Sequence, residues 1–308
     1  MHGLGNIDYE KINRRVKICD YLVVAQLFLQ DNFLLERPLE PKDIKPRLLG
    51  HWGTCHGINV VYASLKAALG DEAEFVLGPG HGFPALQANL FIDGELEKVD
   101  KHATRDEKGL AYICKSFSWP SGAPSHASPA TPGVICEGGE LGYALASGYG
   151  LALGHPEKTV AVLIGDGELE TATALASLNL VKLLGSHKAN GRVIPILHLN
   201  GYKISGPTIS ARKSERELAQ QIRGFGYTPI EATEENLAEK LRTDVKHPFI
   251  IFRSEKGEGG PIRFNGKKIA DNFLSHQIPL KNAKLDIKEL KTLEKWLKSY
   301  DFKLEDIR

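Results

Sequence analysis

The 308-residue chain lacks the features that mark several large classes of protein. Its four cysteines, Cys19, Cys55, Cys114 and Cys136, form no C-x-x-C pair and follow no regular spacing, which argues against a zinc site and a disulfide framework and fits a reducing cytoplasm. Neither sign of charge dominates. With 39 Lys plus Arg against 38 Asp plus Glu, there is no summed field to hold nucleic acid or an anionic membrane, and a small-molecule or protein partner is expected. No run approaches the roughly 18 apolar residues that a membrane span requires, and the N-terminal segment carries Asp8, Glu10 and Arg14 among few apolar residues. Internal repeats and low-complexity tracts are also missing. What is present is a chain with 42% hydrophobic residues, long enough to bury a sizeable core as one large α/β domain or two small ones.

A stretch over 78–139 is rich in Gly, Pro, Ser and His and is broken only by 90–99. It reads as loop, and compact domains seldom keep such long loops without a use. Beyond it the pattern becomes regular: a small-residue helix over 141–153, a buried strand over 159–164, a helix over 171–184 and another buried strand over 193–199, which together make a βαβ unit. Segments 215–223, 227–230, 234–242 and 248–252 continue the alternation, and 286–300 closes it as an amphipathic Lys/Leu helix. The expected fold is α/β: a mainly parallel, doubly wound sheet with helices on both faces, in a single domain over 1–308.

The strand over 159–164 runs directly into Gly165-Asp166-Gly167-Glu168 ahead of a helix, and ligands in open α/β sheets sit outside such carboxyl ends. Glycines allow backbone N–H groups to approach a phosphate closely, and the aspartate between them can hold a divalent cation. On these four residues alone, a tight turn with Asp166 capping the helix accounts for the pattern equally well. The next strand delivers His198-Leu199-Asn200-Gly201-Tyr202-Lys203-Ile204, which puts Asn200 beside Asp166 if the two strands are neighbours. A hard cation such as Mg²⁺ takes oxygen ligands in an octahedron, and Asp166, Asn200 and a main-chain oxygen at Tyr202 would provide them. Gly-Asp-Gly followed about 30 residues later by Asn is the pattern associated with thiamine diphosphate held through Mg²⁺.

Further segments stand in order along the chain: Gly50-His51-Trp52-Gly53-Thr54, Gly78-Pro79-Gly80-His81-Gly82, Pro124-Ser125-His126, Thr131-Pro132-Gly133, Glu137-Gly138-Gly139-Glu140-Leu141-Gly142-Tyr143 and Ser275-His276-Gln277-Ile278-Pro279-Leu280. Together with the Gly-Asp-Gly and Asn200 segments they make the sequence resemble phosphoketolases from about Tyr21 to the C-terminus. Transketolases share the Gly-Asp-Gly…Asn logic but lack the segments at 124–126, 137–143 and 198–204. The resemblance implies a thiamine-diphosphate fold and a subunit that, with Mg²⁺, cleaves xylulose 5-phosphate or fructose 6-phosphate with inorganic phosphate to acetyl phosphate. It implies that His51, His81, His126 and His276 act as acid/base or substrate-binding groups, histidine being the side chain that titrates nearest neutrality. It also implies that Gly139, Gly165, Gly167, Glu168 and Lys256 lie at the cofactor. Glu140 is either a cofactor neighbour or a first-turn carboxylate favouring its helix dipole.

His56, His102, His155, His187 and His247 fall outside the matched segments and carry no expected role. Cys136, His56, Phe83 and Glu258 depart from the family pattern, and Phe83 and Glu258 are expected to reshape the substrate entrance. The resemblance covers only the family's first domain. A pyrimidine-binding domain with its activating glutamate, and a third domain, are then expected on a separate subunit in a dimer-based hetero-oligomer of the α₂β₂ kind. A split transketolase-like carboligase and a non-catalytic thiamine-diphosphate-binding module are the alternatives.

Overall fold

The computed structural model describes residues 6–131, 133–185 and 187–307. Five strands, β1 (Ala73–Leu77), β2 (Thr159–Gly165), β3 (Arg192–Leu199), β4 (Thr228–Ala232) and β5 (Pro248–Arg253), form one fully parallel sheet in the order β1-β2-β3-β5-β4. Ten α-helices accompany it among the described residues: α1 (Tyr9–Phe28), α2 (Cys55–Leu69), α3 (Phe83–Ile92), α4 (Glu107–Ser116), α5 (Ala144–Ala152), α6 (Ala172–Ser177), α7 (Leu180–Leu183), α8 (Glu215–Phe225), α9 (Leu237–Leu241) and α10 (Ile287–Lys298).

The central strands are apolar without alternation because both faces of the sheet are covered. Successive side chains still go to opposite sides. Ala161, Leu163, Ile194, Ile196, Ile250 and Phe252 pack into a core with α1, α2, α3, α4, α9 and α10, while Val160, Val162, Ile164, Leu197, Phe249 and Ile251 pack with α5, α7 and α8. The expected mainly parallel sheet with helices on both faces is therefore present, and β2 and β3 are neighbours with Gly165 opposite His198. No helix among the described residues is long and apolar enough to cross a membrane.

Several expected boundaries change. The stretch over 78–139 is not loop throughout: it contains α3 and α4, each ten residues long. α3 buries Phe83, Ala85, Leu86, Ala88 and Phe91 and has no polar face, so no amphipathic stripe announces it. α4 is capped by Asp106, whose side chain accepts from the Gly109 N–H at 2.9 Å. The helix expected over 171–184 is two short ones, α6 and α7, separated at Leu178–Asn179, where the Asn179 amide donates to the Ala176 carbonyl. α5 begins at Ala144 because Gly142 takes φ +103°, and the helix expected over 234–242 spans only Leu237–Leu241.

All four strands β1, β2, β3 and β5 release the chain at the same edge, and their following loops meet there. The Gly80 and Gly138 backbones touch: a Cβ built on Gly80 would lie 2.0 Å from Gly138 Cα. Ala127 fastens the two, donating its N–H to Gly80 O at 2.9 Å and accepting from Gly138 N–H at 2.7 Å. The loops bearing His81, His126 and Gly139 are thus set by backbone contact. Gly80→Ala should destabilise the chain by about 1–3 kcal/mol through overpacking. Gly150→Ala, at an exposed position in α5 with open space around it, should stabilise by about 0.5–1 kcal/mol; urea unfolding midpoints compare the two.

Candidate active site

The loops after β1, β2, β3 and β5, together with segments around His51, His126, Gly138 and His276, line one cleft of about 370 Å³. Its position outside the carboxyl ends of a parallel sheet is where such folds hold ligands.

At one end are four imidazoles. His51 stands at the centre, with ring centroids 5.1 Å from His81, 5.2 Å from His126 and 5.1 Å from His276, and His81 lies 4.9 Å from His276. Burial holds all four below the ordinary histidine value: His51 is pushed down to about 4 and His276 to about 3, with nearby imidazoles and Lys256 adding to the shift. His81 goes well down, and His126 goes down through burial. They are therefore neutral near pH 7. His126 shares a hydrogen bond of 3.0 Å between Nδ1 and Ser125 Oγ, but the buried Nδ1 atoms of His51 and His276 have no hydrogen-bond partner. An unsatisfied buried polar atom costs about 1–3 kcal/mol, a cost the fold carries at both rings.

At the other end lie Asp166, Asn200 and Lys256, all buried. Asp166 Oδ1 accepts from Gly167 N–H at 2.9 Å, and Oδ2 accepts from Gly201 N–H at 2.7 Å and Thr208 Oγ1 at 3.1 Å. Burial outweighs these bonds and pushes its carboxyl up to about 6. Asn200 Oδ1 accepts from Tyr202 N–H at 3.2 Å. The Lys256 ammonium donates to the Tyr202 carbonyl at 2.7 Å, and burial pulls it down to about 8 although Asp166 pulls the other way.

Carboxylate, amide oxygen and main-chain carbonyl on one rim suit a hard cation. The hydrogen bonds behind the carboxylate are of the kind that orient ligating groups. The buried ammonium beside them suits an anion. This donor set fits Mg²⁺ with a diphosphate.

Gly139, Gly165, Gly167, Glu168 and Tyr202 also line the cleft. Glu168 is spent on the scaffold: its carboxylate accepts from Gly142 N–H at 3.2 Å and Gly165 N–H at 3.1 Å, and burial pushes it up to about 7. Glu140 is exposed and does not line the cleft, and it precedes α5, whose first turn holds no acidic residue, so it is not the first-turn carboxylate either. Phe83 does not reach the entrance either. It is fully buried, 6.4 Å from Phe117 in a stacked pair, because α3 turns it into the core. Cys136 is half-buried and lines a separate cavity with Val134 and Ile135. Pro132 lies outside the described residues.

Two residues without an expected role prove to be tied down. His198 is buried, with Nδ1 3.2 Å from Thr54 Oγ1 and Nε2 2.7 Å from Ser254 Oγ, joining β3 to the start of α2 and the loop after β5. Its inward position in an apolar strand was the available signal. His56 lies between Asp20 and Glu234, which together raise it well above the ordinary histidine value despite burial. Glu258 stands in the same group, away from the cleft lining, so neither it nor Phe83 shapes the entrance.

The fold is that of the transketolase-type thiamine-diphosphate enzymes. Solved transketolases from Leishmania mexicana (TM-score 0.64, 18% identity, 97% of this chain and 45% of that one) and Campylobacter jejuni (TM-score 0.65, 17% identity, 96% and 43%) superpose on it. The family model described as XFP N-terminal domain matches residues 5–244 and 232–306. Proteins named "Probable phosphoketolase" from Bradyrhizobium diazoefficiens and Brucella suis are 40% identical over 324 residues and 41% identical over 318 residues, covering 96% and 94% of this chain. The chain belongs to the phosphoketolase family, as its N-terminal domain, and spans 40% of the length of these two relatives.

The depressed histidines set a pH signature. An unfolded imidazole protonates near 6.5, while His276 resists until about 3, so between those values the unfolded state binds more protons and stability falls as pH falls. The raised carboxyls of Asp166 and Glu168 act with the opposite sign, because the folded state takes their protons first. His276→Gln should therefore lose less stability than the parent between about pH 6.5 and pH 4, as read from urea midpoints. Parallel pH profiles would show that the imidazole is as solvated folded as unfolded.

Proposed function

We propose that this chain provides the diphosphate- and Mg²⁺-holding half of a thiamine-diphosphate phosphoketolase. That enzyme would cleave xylulose 5-phosphate or fructose 6-phosphate with inorganic phosphate, giving acetyl phosphate and an aldose phosphate. The observation that carries this reading is the meeting of four neutral imidazoles with the Asp166, Asn200 and Lys256 rim in one cleft.

In this proposal Asp166, Asn200 and the Tyr202 carbonyl hold Mg²⁺, and backbone N–H groups of Gly139 and Gly167 with Lys256 meet the diphosphate. Bound thiamine diphosphate would supply the electron sink for carbon–carbon cleavage. The arriving negative charge restores the full ammonium character of Lys256, since an opposite charge within a few ångströms favours the charged form. It raises the imidazoles in the same way, moving them from weak bases towards the range where proton transfer at neutral pH is effective. His51 and His276 line the cleft where the sugar would sit. Because the curated relatives are longer, the pyrimidine-binding half is assigned to further polypeptide. We place it on a separate subunit in a dimer-based hetero-oligomer in the cytoplasm.

Thiamine diphosphate binding in the presence of Mg²⁺, followed by calorimetry, should weaken at least about tenfold in Asn200→Ala. His276→Gln should keep cofactor binding and lose about 10²–10⁴-fold in turnover. Acetyl phosphate made from either ketose phosphate only when a pyrimidine-domain chain is added supports the split enzyme. Two-carbon transfer to an aldose without phosphate consumption marks a transketolase-like carboligase instead, and tight cofactor binding with no turnover in any complex marks a non-catalytic module.

A further inference from the structure

Away from the cleft, His56, Glu234 and Glu258 gather from three segments: the first turn of α2, the loop after β4 and the loop after β5, two residues beyond Lys256. One ligand atom from each lies within 4.8 Å of the other two, and all three residues are partly buried. His56 is gripped from behind. Its Nδ1 lies 2.7 Å from Asp20 Oδ2, and Asp20 is 1% exposed, with its other oxygen accepting from Asn59 Nδ2 at 2.7 Å. Asn59 is in turn fixed by Asn89, which donates to Asn59 Oδ1 at 2.7 Å.

This chain of bonds makes Nδ1 the proton-bearing atom and turns Nε2 outward, 3.0 Å from Glu234 Oε1. A buried carboxylate that fixes one imidazole nitrogen while the other faces ligating groups is the usual support of metal-binding histidines. Glu258 brings a second carboxylate into the group, with Oε2 accepting from Glu255 N–H at 3.2 Å. Three carboxyl groups, those of Asp20, Glu234 and Glu258, thus gather around one imidazole. Among the described residues neither Glu234 nor Glu258 is ion-paired with Lys or Arg.

We propose that His56 Nε2, Glu234 and Glu258 bind a divalent transition cation of the class that takes nitrogen and oxygen ligands together, such as Co²⁺, Mn²⁺ or Zn²⁺, with Asp20 orienting the imidazole. The cation replaces the proton on Nε2 and bonds one oxygen of each glutamate, leaving further positions to water. Ligand distances of about 2.0–2.2 Å require the donor atoms to close in by roughly an ångström. Glu234, with its side chain 30% exposed, has the freedom to make that movement. A metal here would pin the Lys256 loop to α2 and to the loop after β4. The site stands whether or not the cleft binds thiamine diphosphate.

Metal-stripped full-length chain, titrated with Co²⁺ in excess Mg²⁺ to fill any all-oxygen site, should take up about one Co²⁺ per chain by calorimetry. The uptake should develop visible Co²⁺ absorption of mixed nitrogen/oxygen ligation and raise the melting temperature. Glu258→Gln and Glu234→Gln, which keep side-chain shape, should each weaken uptake at least about tenfold with unchanged circular dichroism. Repeating the titration in Asp166→Asn should leave the Co²⁺ uptake intact, which separates this site from the cleft. No uptake by the folded chain, or full uptake by both glutamine variants, overturns the proposal.

Discussion

Asp166 leaves the end of β2 and is buried before it can meet bulk water. Its carboxylate collects N–H bonds from Gly167 and Gly201 and a hydroxyl bond from Thr208, so one side chain spans the loops after β2 and β3. The cost of burying that charge is visible in its raised carboxyl. Every other part of the rim is arranged around it: Asn200 follows from the register that sets Gly165 against His198, and Lys256 is brought over from β5, the neighbour of β3, to bond the Tyr202 carbonyl. An unpaired carboxylate at this depth would favour protonation, and a cation would hold it ionised.

The opposite end of the cleft obeys the same logic with the other sign. Four imidazoles crowded against one another near a buried ammonium cannot all carry charge, and burial settles the matter by keeping them neutral. The segments bearing His51 and His276, whose Nδ1 atoms are unsatisfied, are held against each other at Gly53: a Cβ there would lie 2.7 Å from the Ser275 carbonyl oxygen, and Gly53 O accepts from Gly257 N–H at 2.8 Å. Local violations of hydrogen-bond satisfaction on an otherwise consistent scaffold are expected at functional sites. The two ends together, neutral imidazoles at one and a buried carboxylate with an ammonium at the other, make a cleft suited to an anionic ligand with a metal ion.

The sheet was legible because buried parallel strands leave unmistakable apolar runs at 159–164, 193–199 and 248–252, the first two followed directly by Gly165 and Asn200. α3 was not, since a helix buried on nearly all sides, Gln87 and Asn89 included, carries no clear period, and α6 and α7 merged into one expected helix because no glycine or proline marks the break at Leu178–Asn179. Within the site, His51, His81, His126 and His276 were legible only through resemblance, each lone histidine being unremarkable in its own segment. Glu168 and Phe83 show the limit of that approach. Both stand in or beside matched segments, yet one carboxylate bonds the scaffold and one ring fills the core.

From the sequence alone came the class of fold, the apolar runs of its central strands and the Gly-Asp-Gly and Asn pair, because these depend on side-chain type and on spacing along the chain. Only the tertiary structure decided which groups are neutral, which carboxylates bond the backbone, and that His56, remote in sequence from Glu234 and Glu258, stands within 4.8 Å of both. The reason is physical: charge state and ligation depend on burial and on neighbours within a few ångströms, and those neighbours come from segments as far apart as Asp20 and Glu258.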